Sequence, residues 1–201
     1  MSERSEPLTV AVCGPVGSGK TALVAEVVPR LHAAGLTVGV ITTDVTNSED
    51  ATALRDALDG LVPSDLVVGV VGDPAPETLH SDHLRAFLRS NPDLDRVLVE
   101  SGGDTTSGTA PDLVDYSLFV ISAAEGDDIP RKRGPAVVGC DLLVVNKTDL
   151  AEHVGANLDT IERDARTVRD GPFVFTNCKT GEGVDAVVDH IEKAALLASS
   201  T

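Results

Sequence analysis

Residues 14–21 read Gly14-Pro15-Val16-Gly17-Ser18-Gly19-Lys20-Thr21, directly after an apolar run and at the start of a helical pattern. The stretch satisfies G-x-x-x-x-G-K-[ST], the P-loop motif, at every fixed position. Its glycines let successive backbone N–H groups turn inward around phosphate oxygens, and the helix start adds a favourable dipole. We expect Lys20 to reach the β- and γ-phosphates and Thr21 to place its hydroxyl on Mg²⁺. The alternative is a glycine-rich turn that holds no ligand, but the complete motif argues against it.

The same glycines also fit a second phosphate-binding pattern. Gly17-x-Gly19-x-x-Ala22 matches the dinucleotide fingerprint, and Asp44 lies where a ribose-binding acid would be expected. A dinucleotide site, however, has no use for the Lys20-Thr21 pair. We therefore prefer the P-loop interpretation.

Apolar, β-branched runs alternate with helical periodicity along the rest of the chain. The predicted strands are Leu8–Cys13, Thr37–Thr42, Leu66–Val71, Arg96–Val99, Ser117–Ile121, Leu142–Val145 and Phe173–Phe175. The predicted helices are Lys20–Ala33, Ser48–Leu58, Glu77–Arg89, Leu158–Arg169 and Val184–Ala195. Most strands are continuously apolar, as is typical of a parallel sheet covered on both faces. The sequence thus predicts an α/β fold, a doubly wound and mostly parallel sheet of about seven strands, with ligands at the carboxyl ends of the strands.

The composition limits the classes of partner. The 201 residues fit one domain over residues 1–201, with frayed ends at 1–7 and 198–201. There are 16 basic and 32 acidic side chains, a formal net charge of −16, which disfavours nucleic acid and anionic membranes as partners. Such an acidic, lysine-poor composition is typical of proteins from cells that hold molar salt. An acidic docking surface is the alternative explanation.

The cysteines and the chain start indicate the compartment. Cys13, Cys140 and Cys178 are odd in number and dispersed, which favours a reducing environment over a disulfide framework. Residues 1–7 lack the apolar core of a signal peptide, and no apolar run is long enough to span a bilayer. We therefore expect a cytoplasmic protein.

A base-binding motif follows the sixth predicted strand. Asn146-Lys147-Thr148-Asp149 fits the N-K-x-D pattern of GTP-binding proteins. A carboxylate at Asp149 can accept from both the N1–H and the 2-amino group of guanine, while Asn146 serves the other edge and holds the loop. Adenine lacks this donor pair and would leave the carboxylate unpaired, at about 1–3 kcal/mol. After the last strand, the backbone of the loop at Asn177 or the side chain of Lys179 could complete the pocket, and an ordinary strand–helix loop is an equal alternative.

Two acids lie at the ends of the second and fourth predicted strands. Asp44 and Glu100 should both face the P-loop, where a carboxylate can bind Mg²⁺ or orient the attacking water. We therefore count Lys20, Asp44 and Glu100 as the candidate catalytic residues and Thr21 and Asp44 as candidate Mg²⁺ ligands. Acids that merely cap the following helices are the alternative. Asp50 falls in the first turn of the second predicted helix, where a carboxylate suits the helix dipole.

Several further stretches carry a family resemblance over nearly the whole chain. They are the P-loop, Glu100-Ser101-Gly102-Gly103-Asp104, Gly126-Asp127-Asp128-Ile129-Pro130-Arg131-Lys132, the run from Asp141 to Leu150, and Pro172-Phe173-Val174-Phe175-Thr176-Asn177. With them the chain resembles the UreG family of urease accessory proteins, in the nickel-handling branch of the P-loop GTPases.

The resemblance implies GTP and Mg²⁺ as ligands and the urease apoenzyme with other urease accessory proteins as partners. It further implies that GTP hydrolysis is coupled to nickel insertion, and that the chain forms a homodimer when GTP and metal are bound. Because no finger arginine can be assigned in the chain, we expect slow intrinsic turnover.

One departure from the family pattern concerns the transition metal. Where the family has a Cys-Pro-His motif, this chain has Ala75-Pro76-Glu77, a poor donor set for Ni²⁺ or Zn²⁺. His80 and His83, spaced i, i+3 on a predicted helix, are candidates for a relocated site, and two exposed histidines are the alternative. The basic cluster at 131–133 is either a solvated loop or a contact to phosphate or an acidic partner.

Two other functions remain open. One is a GTP-dependent binding module that has lost metal transfer, as the Ala75-Pro76-Glu77 substitution allows. The other is a metallochaperone GTPase for hydrogenase or a cobalamin enzyme. A small-molecule P-loop kinase is disfavoured, because the N-K-x-D motif has no role there.

Overall fold

The strands of the computed structural model, which describes residues 6–44, 49–71, 78–101, 111–132 and 134–199, form one parallel sheet of seven. They are β1 (Leu8–Cys13), β2 (Val38–Asp44), β3 (Val67–Val71), β4 (Arg96–Ser101), β5 (Tyr116–Ser122), β6 (Leu142–Asn146) and β7 (Phe173–Phe175). The α-helices are α1 (Lys20–Ala33), α2 (Glu49–Ala57), α3 (Thr78–Ser90), α4 (Ile129–Lys132), α5 (Pro135–Gly139), α6 (Leu158–Val168) and α7 (Val184–Ala198). Every neighbouring pair in the order β3-β2-β4-β1-β5-β6-β7 is parallel.

The helices cover both faces of the sheet, because side chains alternate along each strand. Val10 and Val12 of β1 pack with α1, α2 and α7 on one face. Ala11 and Cys13 point to the other face, where α4, α5 and α6 pack. Phe87 of α3 joins a third cluster with β2, β3 and β4. The continuously apolar strands therefore reflect burial on both sides, as the sequence predicted.

The strand order places the candidate site at one edge of the sheet. β1 pairs with β4 on one side and with β5 on the other, although β2 follows it in the chain. The connection after β1 leads to one side of this strand, and the connection after β4 leads to the other side. Where the connections change side in this way, a crevice opens at the carboxyl ends of the strands, and ligands of doubly wound folds bind there. The loop that follows β1 is residues 14–19, so the P-loop motif lies at this crevice.

The predicted doubly wound fold is confirmed, and most element bounds shift by one or two residues. β1, β7 and α1 match their predicted bounds, whereas α7 continues to Ala198, three residues beyond the prediction. α4 and α5 were not predicted, because four or five residues are too few to show helical periodicity. Within the described ranges, no helix has the length and apolarity needed to cross a bilayer.

A buried arginine fixes the opposite edge of the sheet. Arg169, 5% exposed, follows α6 and donates to the carbonyl oxygens of Val137 (2.5 Å), Cys140 (3.0 Å) and Gly171 (3.1 Å). Its guanidinium also lies 2.9 Å from the Cys140 sulfur. One side chain thus connects the end of α5 to the turn that leads into β7.

We expect Arg169→Ala to lower the free energy of unfolding by about 3 kcal/mol, because buried carbonyl groups left unpaired cost roughly 1–3 kcal/mol each. Arg163→Ala, in the helix that precedes Arg169, is the matched control. Arg163 is 67% exposed, and its partner Asp164 keeps a second ion pair with Arg131, so the loss of Arg163 should cost less than about 1 kcal/mol. Urea denaturation at high KCl measures both values, and equal effects of the two substitutions would refute this role of Arg169.

Candidate functional site

The P-loop backbone has the conformation that its glycines permit. Gly14, Gly17 and Gly19 have φ values of 142°, 80° and 96°. A Cβ on Gly14 would lie 2.1 Å from the carbonyl oxygen of Val120 in β5, so the loop packs against the neighbouring strand at a distance that only glycine allows. α1 begins immediately afterwards at Lys20. The strand–loop–helix context that the motif requires is therefore present.

Lys20 lies inside this loop. Its side chain is 8% exposed, and its Nζ donates to the carbonyl oxygens of Gly14 (3.0 Å) and Pro15 (3.1 Å). The hydroxyl of Ser18 is buried and has no hydrogen-bond partner among the described residues. The loop thus encloses two hydrogen-bond donors, the ammonium group of Lys20 and the hydroxyl of Ser18. This arrangement suits the multiple oxygen acceptors of a phosphate group.

The N-K-x-D motif is attached directly to the P-loop. Asn146, 1% exposed, donates from Nδ2 to the carbonyl oxygen of Ser18 at 3.0 Å. Lys147, with a φ of 61°, donates from Nζ to the carbonyl oxygen of Gly17 at 2.6 Å. Asp149 follows on the same loop and is exposed. The two motifs that the sequence placed far apart therefore form one continuous site.

Asn146 also binds the loop that follows β7. Its Oδ1 accepts from the Thr176 hydroxyl and from the Cys178 backbone N–H, both at 3.2 Å. The sequence did not predict these two contacts. It showed only that the loop at residues 176–179 is largely polar. They place the backbone of this loop beside the N-K-x-D motif.

The other two predicted residues of this loop differ in their surroundings. Asn177 is buried and its side chain accepts from the Lys179 backbone N–H at 3.1 Å, so its amide stabilises its own loop. The Lys179 side chain is exposed. Burial raises the pKa of the Cys178 thiol to about 11, and this residue packs in the apolar core with side chains of α1 and α7.

A cluster of oxygen atoms lies at the first turn of α1. The Thr21 hydroxyl is 2.6 Å from Glu100 Oε1 and 3.2 Å from Asp50 Oδ1. Hydroxyl and carboxylate oxygens are the ligands that Mg²⁺ prefers, so the chemistry of these side chains fits this ion. Glu100 is placed as predicted at this edge, but β4 continues to Ser101, because Ser101 still pairs with Thr43 of β2.

The structure adds Asp50 to the predicted acids. The sequence indicated only that Asp50 lies in the first turn of a helix after β2. Its contact with Thr21, 29 residues away in the chain, could not be predicted from any short stretch of sequence. Asp44 is the last residue of β2, as expected, but its side chain lies outside the described parts. Its role in Mg²⁺ binding stays a prediction.

The candidate transition-metal site is only partly described. The stretch with Ala75-Pro76-Glu77 and the side chain of His80 lie outside the described residues, and His83 is exposed on α3. No group of three or more His, Cys, Asp or Glu residues in the described ranges is arranged to hold a metal. A site at His80 and His83 therefore stays a prediction.

The basic cluster at 131–133 contacts acids of its own chain. Arg131 binds Asp164 at 2.6 Å, and Lys132 pairs with Asp128, whose carboxyl pKa is lowered by that hydrogen bond. Residue 133, like residues 102–104, lies outside the described parts. The two described cations thus serve to attach α4 to α6 and to the preceding loop.

Comparison with known proteins agrees with the geometry. The chain is 56% identical over 199 residues to the urease accessory protein UreG of Natronomonas pharaonis, covering 94% of this chain and 97% of that protein. It is 51% identical over 198 residues to UreG of Haloquadratum walsbyi, covering 94% and 96%. Both are haloarchaea, which agrees with the interpretation of the acidic composition as salt adaptation.

A solved structure and a family model extend the comparison. The structure of HypB from Helicobacter pylori in complex with nickel has the same fold, with a TM-score of 0.77 at 14% identity over 96% of this chain and 89% of that one. Residues 8–175 match the family described as CobW/HypB/UreG, nucleotide-binding domain. This chain therefore belongs to the CobW/HypB/UreG family of nucleotide-binding proteins, which confirms the resemblance carried by its five family-like stretches.

Proposed function

We propose that this chain is a GTPase that couples GTP binding and hydrolysis to nickel insertion during urease maturation. The observation that carries the proposal is the attachment of Asn146 to the Ser18 carbonyl, which joins a phosphate loop to a guanine-binding motif. The client follows from the relatives, which are named urease accessory proteins at 56% and 51% identity.

The phosphate end of the site carries the chemistry. GTP is the substrate, and Lys20 with the P-loop backbone N–H groups stabilises negative charge on its β- and γ-phosphates. Thr21, Glu100 and Asp44 are the residues that would hold Mg²⁺, which supplies further charge neutralisation when bound. Glu100, which is buried and 2.6 Å from the Thr21 hydroxyl, also orients the attacking water in this proposal. Turnover is slow, because the sequence offers no assignable finger arginine to stabilise charge on the γ-phosphate.

The base end of the site selects guanine. Asp149 accepts from the N1–H and the 2-amino group of the base, and Lys147 and Asn146 hold the loop against the P-loop. The backbone around Asn177 and the Lys179 side chain complete the pocket.

The partners are the urease apoenzyme and other urease accessory proteins, with a homodimer formed when GTP and metal are bound. Nickel is the cargo, and Zn²⁺ would use the same ligands. None of the three cysteines forms a disulfide, which supports the cytoplasm as the compartment. The net charge of −16 argues against nucleic acid and anionic membranes as further partners.

A second candidate is a GTP-dependent binding module without metal transfer. The observation that favours it is Ala75-Pro76-Glu77 in place of a thiolate and imidazole pair. Equilibrium dialysis with Ni²⁺ and Zn²⁺, with and without GTP, separates the two functions. A stoichiometric site that GTP strengthens and that is lost on changing His80 and His83 to alanine would exclude the second candidate.

We expect Lys20→Ala to lower the rate of GTP hydrolysis by at least about 100-fold, because the main charged donor to the γ-phosphate is removed. Phosphate release from GTP and ATP, measured in high salt, checks this. Lys193→Ala, at an exposed lysine of α7, is the control and should match the wild type. Near-normal hydrolysis by Lys20→Ala, or equal use of GTP and ATP by the wild type, would contradict the proposal.

We expect Asp149→Asn to weaken GDP binding by about 10- to 100-fold, equivalent to roughly 1–3 kcal/mol, and to improve the relative affinity for xanthosine diphosphate. The amide can donate to the 2-oxo group of xanthine, whereas the carboxylate cannot. Calorimetric titration with GDP, xanthosine diphosphate and ADP measures the change. Asp189→Asn, at an exposed position of α7, serves as control, and unchanged base preference in Asp149→Asn would refute the role of Asp149.

A further inference from the structure

The hydroxyl of Thr21 lies between two carboxylates from different elements. Glu100 Oε1 of β4 is 2.6 Å away and Asp50 Oδ1 of α2 is 3.2 Å away. A threonine hydroxyl has one proton to donate. It can therefore bond fully to only one of these two acceptors at a time.

This limit matters once a cation is bound at the proposed site. A hydroxyl that gives its lone pair to Mg²⁺ still needs an acceptor for its proton, and a carboxylate is the strongest one available. If Glu100 accepted that proton, one lone pair of its nearer oxygen would be committed to Thr21, and fewer would remain for the cation or the attacking water. A second carboxylate within hydrogen-bond distance of Thr21 reduces this competition.

Asp50 is held firmly enough to serve as that second carboxylate. It lies in the first turn of α2, where Ala51 and Leu54 are buried against the core. One turn further on, Arg55 donates from Nε to the carbonyl oxygen of Val67 in β3 at 2.9 Å. α2 is thereby fixed to both the core and the sheet, so Asp50 is positioned by a packed helix.

We propose that Asp50 is a positioning residue of the Mg²⁺ site: it accepts the Thr21 hydroxyl proton, which leaves the Thr21 lone pair for the cation and Glu100 for the cation or its water. The inference rests on the proposed function, because it requires a magnesium–nucleotide complex at the P-loop. It assigns to α2 a contribution to metal affinity that the sequence motifs do not contain. Residues that orient metal ligands in this way typically change metal affinity by about 10- to 100-fold.

The test measures the release of a fluorescent GDP analogue, mant-GDP, from the full chain as the Mg²⁺ concentration is varied. Asp50→Ala should raise the Mg²⁺ concentration for half-maximal slowing of release by about 10- to 100-fold. Asp50→Asn retains an oxygen that can accept the Thr21 proton, so its value should fall between those of Asp50→Ala and the wild type. Asp56→Ala, at an exposed acid on the same helix, is the matched control and should match the wild type.

Release in excess EDTA separates a metal effect from damage to the fold. All variants should release mant-GDP at the wild-type rate without Mg²⁺, since Asp50 acts through the cation. An unchanged Mg²⁺ dependence in Asp50→Ala would overturn the inference, as would an Asp50→Asn variant as weak as Asp50→Ala. If the wild type itself bound no mant-GDP, the proposed function would fail instead, so the two failures are distinguishable.

Discussion

The side chain of Asn146 makes hydrogen bonds to two other loops, and the rest of the site depends on them. Its amide donates to the Ser18 carbonyl in the P-loop and accepts from Thr176 and Cys178 in the loop after β7. At 1% exposure these bonds are shielded from water, where a fully satisfied polar network is rigid and an unsatisfied one is costly. This buried amide, together with the Lys147 bond to Gly17, therefore holds the P-loop and the N-K-x-D loop at a fixed distance.

The net charge of −16 does not by itself indicate a binding site for a polyanion. In the P-loop, however, backbone N–H groups and the buried ammonium of Lys20 form a small positive region. The negative charge of the protein surface has little effect there. The carboxylates of Glu100 and Asp50 do not oppose phosphate binding if a divalent cation lies among them. The overall charge thus describes the solvent to which the protein is adapted, and the haloarchaeal relatives agree with this view.

The sequence predicted those features that depend on short stretches of chain. Continuous apolar runs located the strands, and the fixed spacing in residues 14–21 and 146–149 located the two ligand-binding motifs. Contacts between distant residues carried no such signal: Asp50 meets Thr21 only because α2 returns alongside α1, and Thr176 meets Asn146 only because β7 pairs with β6. The helices α4 and α5 were missed for a different reason, since one turn has no measurable periodicity.

Reconstituted urease activation tests the central claim most directly. Urease apoenzyme, the other accessory proteins, nickel and bicarbonate are combined at high salt with this chain and either GTP or a non-hydrolysable GTP analogue, and urease activity is measured. Coupling of hydrolysis to nickel insertion predicts activation with GTP and little with the analogue. Equal activation with both nucleotides, or the same activation when this chain is omitted, would contradict it.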